Sequence, residues 1–110
     1  MIFIAARFRV LAEHADAWPD ITRSFTEATR AESGNLWFDW SRDLHDPQEY
    51  VLIEAFQDDA AGAHVESDHF KRAQAELPAY LEETPRIVNF QVEGTEWSEL
   101  GEMAVTRPGT

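Results

Sequence analysis

Cysteine is absent from this sequence of 110 residues. Its absence excludes disulfide bonds, thiolate nucleophiles and thiolate-bound metal or iron–sulfur sites. Basic residues are also scarce, with nine Lys and Arg against 21 Asp and Glu, and the formal net charge is -12. An acidic surface repels phosphate backbones and anionic lipid headgroups, and no basic stripe offsets this charge. We therefore expect neither a nucleic acid nor a membrane as partner.

Long hydrophobic runs are missing too. No segment approaches the roughly 18 apolar residues that a membrane-spanning helix needs. The first residues lack the basic start and longer apolar run of a signal peptide. Hydrophobic residues nevertheless make up 44% of the chain, which is enough for a globular core in one domain of this length. These features predict a single soluble domain in the cytoplasm.

Four strands are predicted by apolar residues that alternate with a period of two. Both sides of the first three strands carry apolar residues. A turn with Asp46 and Pro47 separates the second strand from the third, which predicts a hairpin. The predicted strands are residues 2–10, Asn35–Ser41, Tyr50–Phe56 and Arg86–Glu93.

Helices are predicted where the apolar spacing changes to three and four residues. The longest runs from about Glu13 to Glu32, with Asp16 as a candidate N-cap and Pro19 in the first turn, where proline is tolerated. After the third strand, Asp58 or Asp59 is expected to cap a short helix, and Ser67 a second one. These two helices are predicted at about Ala60–Glu66 and Asp68–Glu76, with one more turn at Leu77–Leu81.

The resulting order is strand, helix, strand, strand, helix, strand, which predicts an α+β, ferredoxin-like domain with its helices on one face of an antiparallel sheet. The helices can cover only one of the two apolar faces. A second copy of the chain is the economical cover for the other face, so we expect a homodimer with two sheets packed face to face. The domain is expected to span residues 1–97, and residues 98–110 a tail with an unstructured end.

Candidate acid–base residues are concentrated between positions 54 and 70. Glu54 follows apolar residues on one strand face, where a carboxylate is costly to bury unless it has a partner or a raised pKa. It is a candidate general base, or the group that orients a histidine. His69 is a candidate proton acceptor because imidazole titrates near neutral pH. The alternative for Glu54, His64 and His69 is a purely structural set of hydrogen bonds.

The spacing of the two histidines does not favour a metal site. On one straight helix, His64 and His69 are about 140° apart, and no third ligand is placed by the sequence. We therefore expect no metal. If the helix breaks at Ser67, both rings can still converge on one pocket.

Aromatic side chains could line such a pocket, because flat rings stack on a flat substrate. The alternative is that most of them belong to the ordinary core, and periodicity does not separate the two roles when both strand faces are buried. The candidate substrate-binding residues are Asn35, Trp37, Phe38, Trp40 and Phe70.

Several segments together resemble the antibiotic biosynthesis monooxygenase family of dimeric α+β barrels. They are Ala31–Leu36, Asp46–Pro47, Tyr50–Phe56 and Ala63–Phe70, which contains His-x-x-Ser-x-His-Phe. The resemblance implies a homodimer with one pocket per subunit between the sheet and the helices. It also implies chemistry without metal or flavin, in which the enzyme deprotonates an electron-rich phenol or quinol and the anion reacts with oxygen.

The sequence and this resemblance lead to one functional hypothesis and two alternatives. The hypothesis is a cofactor-independent monooxygenase that oxidises a small quinol or polyphenolic aromatic with molecular oxygen, with His69, Glu54 or His64 as the base. The alternatives are a non-catalytic dimeric barrel that binds a small hydrophobic molecule, and an isomerase on the same scaffold. The chain has no Gly-x-Ser-x-Gly, phosphate-binding loop or dinucleotide fingerprint, which fits chemistry without a cofactor.

Overall fold

The computed structural model describes residues 1–108, so the last two residues of the predicted tail lie outside the described part. Within it, four strands form one antiparallel sheet, in which the second strand pairs with the third, the third with the first and the first with the fourth. Each begins and ends within two residues of its predicted bounds, and the ferredoxin-like prediction is confirmed. The strands are β1 (Ile2–Arg9), β2 (Asn35–Arg42), β3 (Glu49–Phe56) and β4 (Arg86–Gln91).

The first helical region is broken at Thr22, within the part for which a continuous helix was predicted. A 3-10 segment, Ala12–Ala17, leads into α1 (Trp18–Ile21), and α2 (Arg23–Arg30) follows after Thr22. The Thr22 hydroxyl donates to the Trp18 carbonyl at 2.9 Å, a bond within the turn that can bend a helix.

The capping predictions have mixed outcomes. Asp16 does not cap α1; its carboxylate instead accepts a hydrogen bond from Arg42 at 2.9 Å. The short α3 (Ala61–Val65) has no side-chain cap either, so the expectation for Asp58 or Asp59 was wrong. In contrast, the Ser67 hydroxyl caps α4 (Asp68–Glu76) as predicted, accepting from the Phe70 backbone N–H at 3.1 Å. A 3-10 turn, Leu77–Tyr80, continues from α4.

One face of the sheet packs against the helices and carries the core. Its buried side chains alternate along the strands with residues of the opposite face, as the pleat requires. Trp18 and Leu77 bring α1 and the turn after α4 onto this face. The buried sheet residues are Ala6, Val10, Phe38, Tyr50, Leu52 and Phe56. None of the helices within residues 1–108 is long and apolar enough to cross a membrane.

The opposite sheet face is largely uncovered within the described chain. Strand pairing places Phe3 opposite Phe90 and Ala5 opposite Val88, so these side chains share that face. Phe90 is 59% exposed and Val88 is 53% exposed. The indole of Trp37 also lies here and is covered on one side by Trp97, with ring centroids 5.0 Å apart.

Gly34 is required by a close approach between two connections. A Cβ built on Gly34 would lie 2.2 Å from the Ala60 Cβ, and the Gly34 carbonyl accepts from the Gln57 backbone at 2.8 Å. We expect Gly34→Ala to lower the free energy of unfolding by about 1–3 kcal/mol, because the added methyl group overpacks this contact. Chemical denaturation would measure it.

Gly62→Ala is the matched control. Gly62 lies in α3 and nothing lies within 4 Å of a Cβ built there. Alanine at a helical position is favoured over glycine by up to about 1 kcal/mol, so this variant should be unchanged or more stable. Equal losses in the two variants would contradict the close-approach explanation.

Candidate functional site

A cavity of about 400 Å³ lies between the helix-covered face of the sheet and helices α2 to α4. This volume falls within the range of small-molecule sites, which are mostly apolar with a few polar groups. Glu54, His64, Gln74 and Thr84 are its polar side chains. The apolar walls are formed mainly by Phe8, Phe25, Leu52, Phe70, Leu77, Pro78 and Leu81.

Glu54 reaches this cavity because β3 alternates. Leu52 and Phe56 point toward the helices, and Glu54 lies between them on the same face, only 8% exposed. Burial, and secondarily the negative charge of Glu32, raises the pKa of Glu54 to about 7. A carboxyl group with this pKa can both accept and return a proton near neutral pH, which is what general acid–base chemistry requires.

His64 lies beside Glu54 and is 4% exposed. Its Nε2 is 3.7 Å from Glu54 Oε1, longer than a hydrogen bond, while its Nδ1 is 2.8 Å from Glu32 Oε2. The ring packs against Phe56 and Phe70, with centroid distances of 4.8 and 5.0 Å. The imidazole is therefore held between two carboxylates in a fixed plane.

His69 contacts the same carboxylate from the other side. Its Nε2 lies 2.5 Å from Glu32 Oε2, and its ring centroid is 6.0 Å from that of His64. The two rings converge because the helix breaks at Ser67, whose hydroxyl donates to the His64 carbonyl at 2.6 Å. His69 itself lines a separate small cleft between α2 and α4, so it does not face the large cavity.

Glu32 is the member of this cluster that the sequence did not reveal. It lies in the turn after α2, its side chain is 17% exposed, and it accepts hydrogen bonds from both histidines. The helical pattern did not distinguish Glu32 from the other polar residues of the predicted helix. Its place within Ala31–Leu36, one of the segments that carry the family resemblance, was the available signal.

A metal ion needs several ligand atoms close together. One ligand atom from each of Glu32, His64 and His69 lies within 4.8 Å of the other two. Ligands held about 2.1 Å from a tetrahedral ion are about 3.4 Å apart. Here the carboxylate oxygen is 2.8 and 2.5 Å from the two ring nitrogens. Those are hydrogen-bond separations, and we interpret the cluster as three side chains that share protons.

Of the five residues predicted to bind substrate, Phe70 is the one that lines the large cavity. Phe38 is buried beneath Phe25, with ring centroids 5.4 Å apart. Trp40 lines a smaller cavity beside α1 and α2, and its Nε1 donates to Thr26 Oγ1 at 3.0 Å.

Asn35 and Trp37 are not brought to the acid–base cluster. The Asn35 amide donates to the Trp37 carbonyl at 2.9 Å and to the Ala55 carbonyl at 3.3 Å, across an irregularity in the β2–β3 pairing. This bulge and the pleat direct the Trp37 side chain to the open face, where it contacts Phe3.

The chain is similar to known proteins in both family and fold. The family model described as "Antibiotic biosynthesis monooxygenase" matches residues 1–76. A comparison with curated proteins found no match.

Solved structures agree with the family match. A protein of Pseudomonas aeruginosa is 29% identical, with a TM-score of 0.73 over 84% of this chain and 94% of that one. A protein of Nitrosomonas europaea that carries the family name is 25% identical, with a TM-score of 0.77 over 86% of this chain and all of the other. One of Deinococcus radiodurans, 21% identical, shares the fold with a TM-score of 0.78 over 90% and 99% of the two chains. The chain belongs to the antibiotic biosynthesis monooxygenase family.

Proposed function

We propose that this protein is a cofactor-independent monooxygenase that oxidises a small quinol or polyphenolic aromatic with molecular oxygen. The observation that carries the proposal is Glu54, a buried carboxyl with a pKa of about 7 in the wall of an apolar cavity of about 400 Å³. Membership of the family supports small-molecule oxygenation as the reaction class.

The cavity supports specific roles for its side chains. Phe8, Phe25 and Phe70 offer ring faces and edges to a flat substrate. The Glu54 carboxylate accepts the proton of a substrate hydroxyl, and His64 Nε2 lies 3.7 Å from that carboxylate. The electron-rich anion then reacts with oxygen. In the net reaction a quinol and O₂ give a hydroxyquinone and water, so the substrate supplies all the electrons.

Oxygen uptake tests the proposal directly. Metal-stripped protein is mixed with a panel of reduced naphthoquinols and benzenetriols, each measured against its own autoxidation rate. We expect stimulated uptake and, with ¹⁸O₂, one labelled oxygen atom in the product. No stimulation across the panel would overturn the proposal. Ligand-induced thermal stabilisation without turnover would then favour the binding module, and turnover without oxygen would favour the isomerase.

We also propose that a second copy of the chain covers the open sheet face. Large apolar side chains of three strands lie there in a single layer, and Phe90 and Val88 are more than half exposed in the isolated chain. Contiguous exposed apolar surface of this kind marks an interaction site. In a two-fold symmetric dimer the open face of each copy covers that of the other, so both apolar faces are buried.

Val88→Glu should convert the dimer to a monomer. The residue is 53% exposed, so the change removes little packing within the chain, but a dimer would bury two carboxylates without partners. We expect the dimer dissociation constant to rise at least about 100-fold, which light scattering after size exclusion would measure. Leu44→Glu, at a turn residue that is 94% exposed, adds the same charge and should leave the mass unchanged. A Val88→Glu dimer would place the interface elsewhere.

A further inference from the structure

We propose that Glu32 is a positioning residue that holds His64 in the tautomer with its proton on Nδ1, and that His69 acts through Glu32. The catalytic consequence of this inference rests on the proposed function. The tautomer itself does not, and it can be measured in the absence of any substrate.

The hydrogen-bond geometry assigns the proton. An ionised carboxylate only accepts hydrogen bonds, so the 2.8 Å contact between Glu32 Oε2 and His64 Nδ1 requires the proton on Nδ1. In the neutral ring Nε2 is then unprotonated. That nitrogen is the one that faces Glu54 Oε1, at 3.7 Å.

The surroundings of His64 leave few other groups to set its tautomer. Its titratable neighbours are Glu32 from the turn after α2, Glu54 from β3 and His69 from α4. Four aromatic rings also surround it: Phe25, Phe38, Phe56 and Phe70. An unprotonated Nε2 at 3.7 Å from Glu54 Oε1 becomes a second acceptor for a proton taken from substrate once the two side chains close to hydrogen-bond distance in the substrate complex.

His69 has a different place in this arrangement from the one predicted for it. It lines the cleft that also contains Arg72 and Glu76, outside the large cavity. Its Nε2 lies 2.5 Å from the same Glu32 oxygen that holds His64. His69 therefore orients the Glu32 carboxylate rather than contacting substrate, and its removal should weaken the hold on His64 without abolishing it.

Long-range ¹H–¹⁵N NMR of the histidine rings measures the tautomer directly. The chain has four histidines, and spectra of single His→Gln variants assign them. At alkaline pH we expect His64 to show a protonated Nδ1 and an unprotonated Nε2. In Glu32→Ala we expect Nε2–H to become a major form. A wild-type ring that carries its proton on Nε2 would overturn the inference, and so would an unchanged tautomer in Glu32→Ala.

Two further variants separate positioning from a general structural role. Glu32→Gln keeps an acceptor oxygen, so it should retain the Nδ1–H tautomer and most of the oxygen uptake. Glu32→Ala should lower kcat at least about tenfold and by no more than the 10²–10⁴-fold that a positioned acid–base group contributes, with little change in KM, because Glu54 itself is retained. His69→Gln should keep the tautomer and lose less activity. Equal loss in Glu32→Gln and Glu32→Ala would overturn the positioning role.

The inference can still be tested if the Glu32→Ala variant does not fold or if the wild-type protein takes up no oxygen. If Glu32→Ala does not fold, the wild-type spectrum alone decides the tautomer. If the wild-type protein takes up no oxygen, the proposed function fails while the NMR result still judges Glu32.

Discussion

Glu54→Gln is expected to remove most of the oxygen uptake and, at the same time, to make the folded protein more stable above neutral pH. Glutamine has nearly the same shape as glutamate but cannot accept the substrate proton. A positioned acid–base group typically contributes 10²–10⁴-fold, so kcat/KM should fall by about this factor. Steady-state oxygen uptake against substrate concentration would measure the loss.

The pH dependence of kcat/KM should also report the ionisation of Glu54. As a base, Glu54 acts in its ionised form, and burial raises its pKa to about 7. In the wild-type protein kcat/KM should therefore rise with pH up to about 7 and then level off. The residual activity of Glu54→Gln should lack this rise. A variant that keeps it would assign the titration to another group.

The stability change follows from the same raised pKa, but stability falls with rising pH, whereas activity rises. The folded protein holds the Glu54 proton up to about pH 7, whereas the ordinary pKa of a glutamate is 4.5. The folded state thus binds more protons between these values, and stability is lost as the pH rises through about 7. This difference corresponds to about 3 kcal/mol, and Glu54→Gln should recover up to that amount at pH 8.

Glu66→Gln is the matched control for both measurements. It makes the same change in charge at an exposed residue next to α3. Neither its oxygen uptake nor its stability at pH 8 should differ from the wild-type protein. If Glu54→Gln is less stable than Glu66→Gln at pH 8, then Glu54 is a structural partner of His64 rather than a strained base.

The strands and their faces were predictable because the alternation of apolar residues is a local property of the chain. It separates Phe38 and Trp40 from Trp37, and the structure places Phe38 and Trp40 on the helix side together with Glu54. Local pattern did not show which face carried the cavity, since the open face is apolar as well. That is why Asn35 and Trp37 were grouped with Phe70 as candidates.

The acid–base cluster was predictable only in part. His64 and His69 stood out by residue type, and Ser67 predicted the break that lets them converge. Glu32 is 32 residues away from His64 along the chain, and the connection that contains it approaches the one before α3 closely, at Gly34 and Ala60. A contact between two distant connections leaves no periodic signal. The break at Thr22 was missed because apolar spacing continues across it.

Trp18→Ala is expected to cause a large loss of stability. Trp18 is fully buried and packs against Phe8, Trp40 and Tyr50, with ring centroids 5.9, 5.7 and 6.3 Å away. Truncating a buried aromatic costs about 3–5 kcal/mol through lost burial and a residual cavity. A domain of this size is stabilised by only about 5–15 kcal/mol in total. Chemical denaturation at fixed protein concentration would measure the loss.

Trp18→Phe should behave quite differently, because the indole N–H of Trp18 is buried and has no hydrogen-bond partner among residues 1–108. An unpaired buried donor costs about 1–3 kcal/mol, and phenylalanine removes it. The smaller ring gives up some packing in return, so the two effects should cancel to within about 1 kcal/mol. If Trp18→Phe instead loses as much free energy of unfolding as Trp18→Ala, the phenyl ring restores little stability. The stability of the wild-type protein then depends on the indole N–H. In that case the donor has a partner in solution, and the adjoining cavity of about 280 Å³ is where a bound water would supply it.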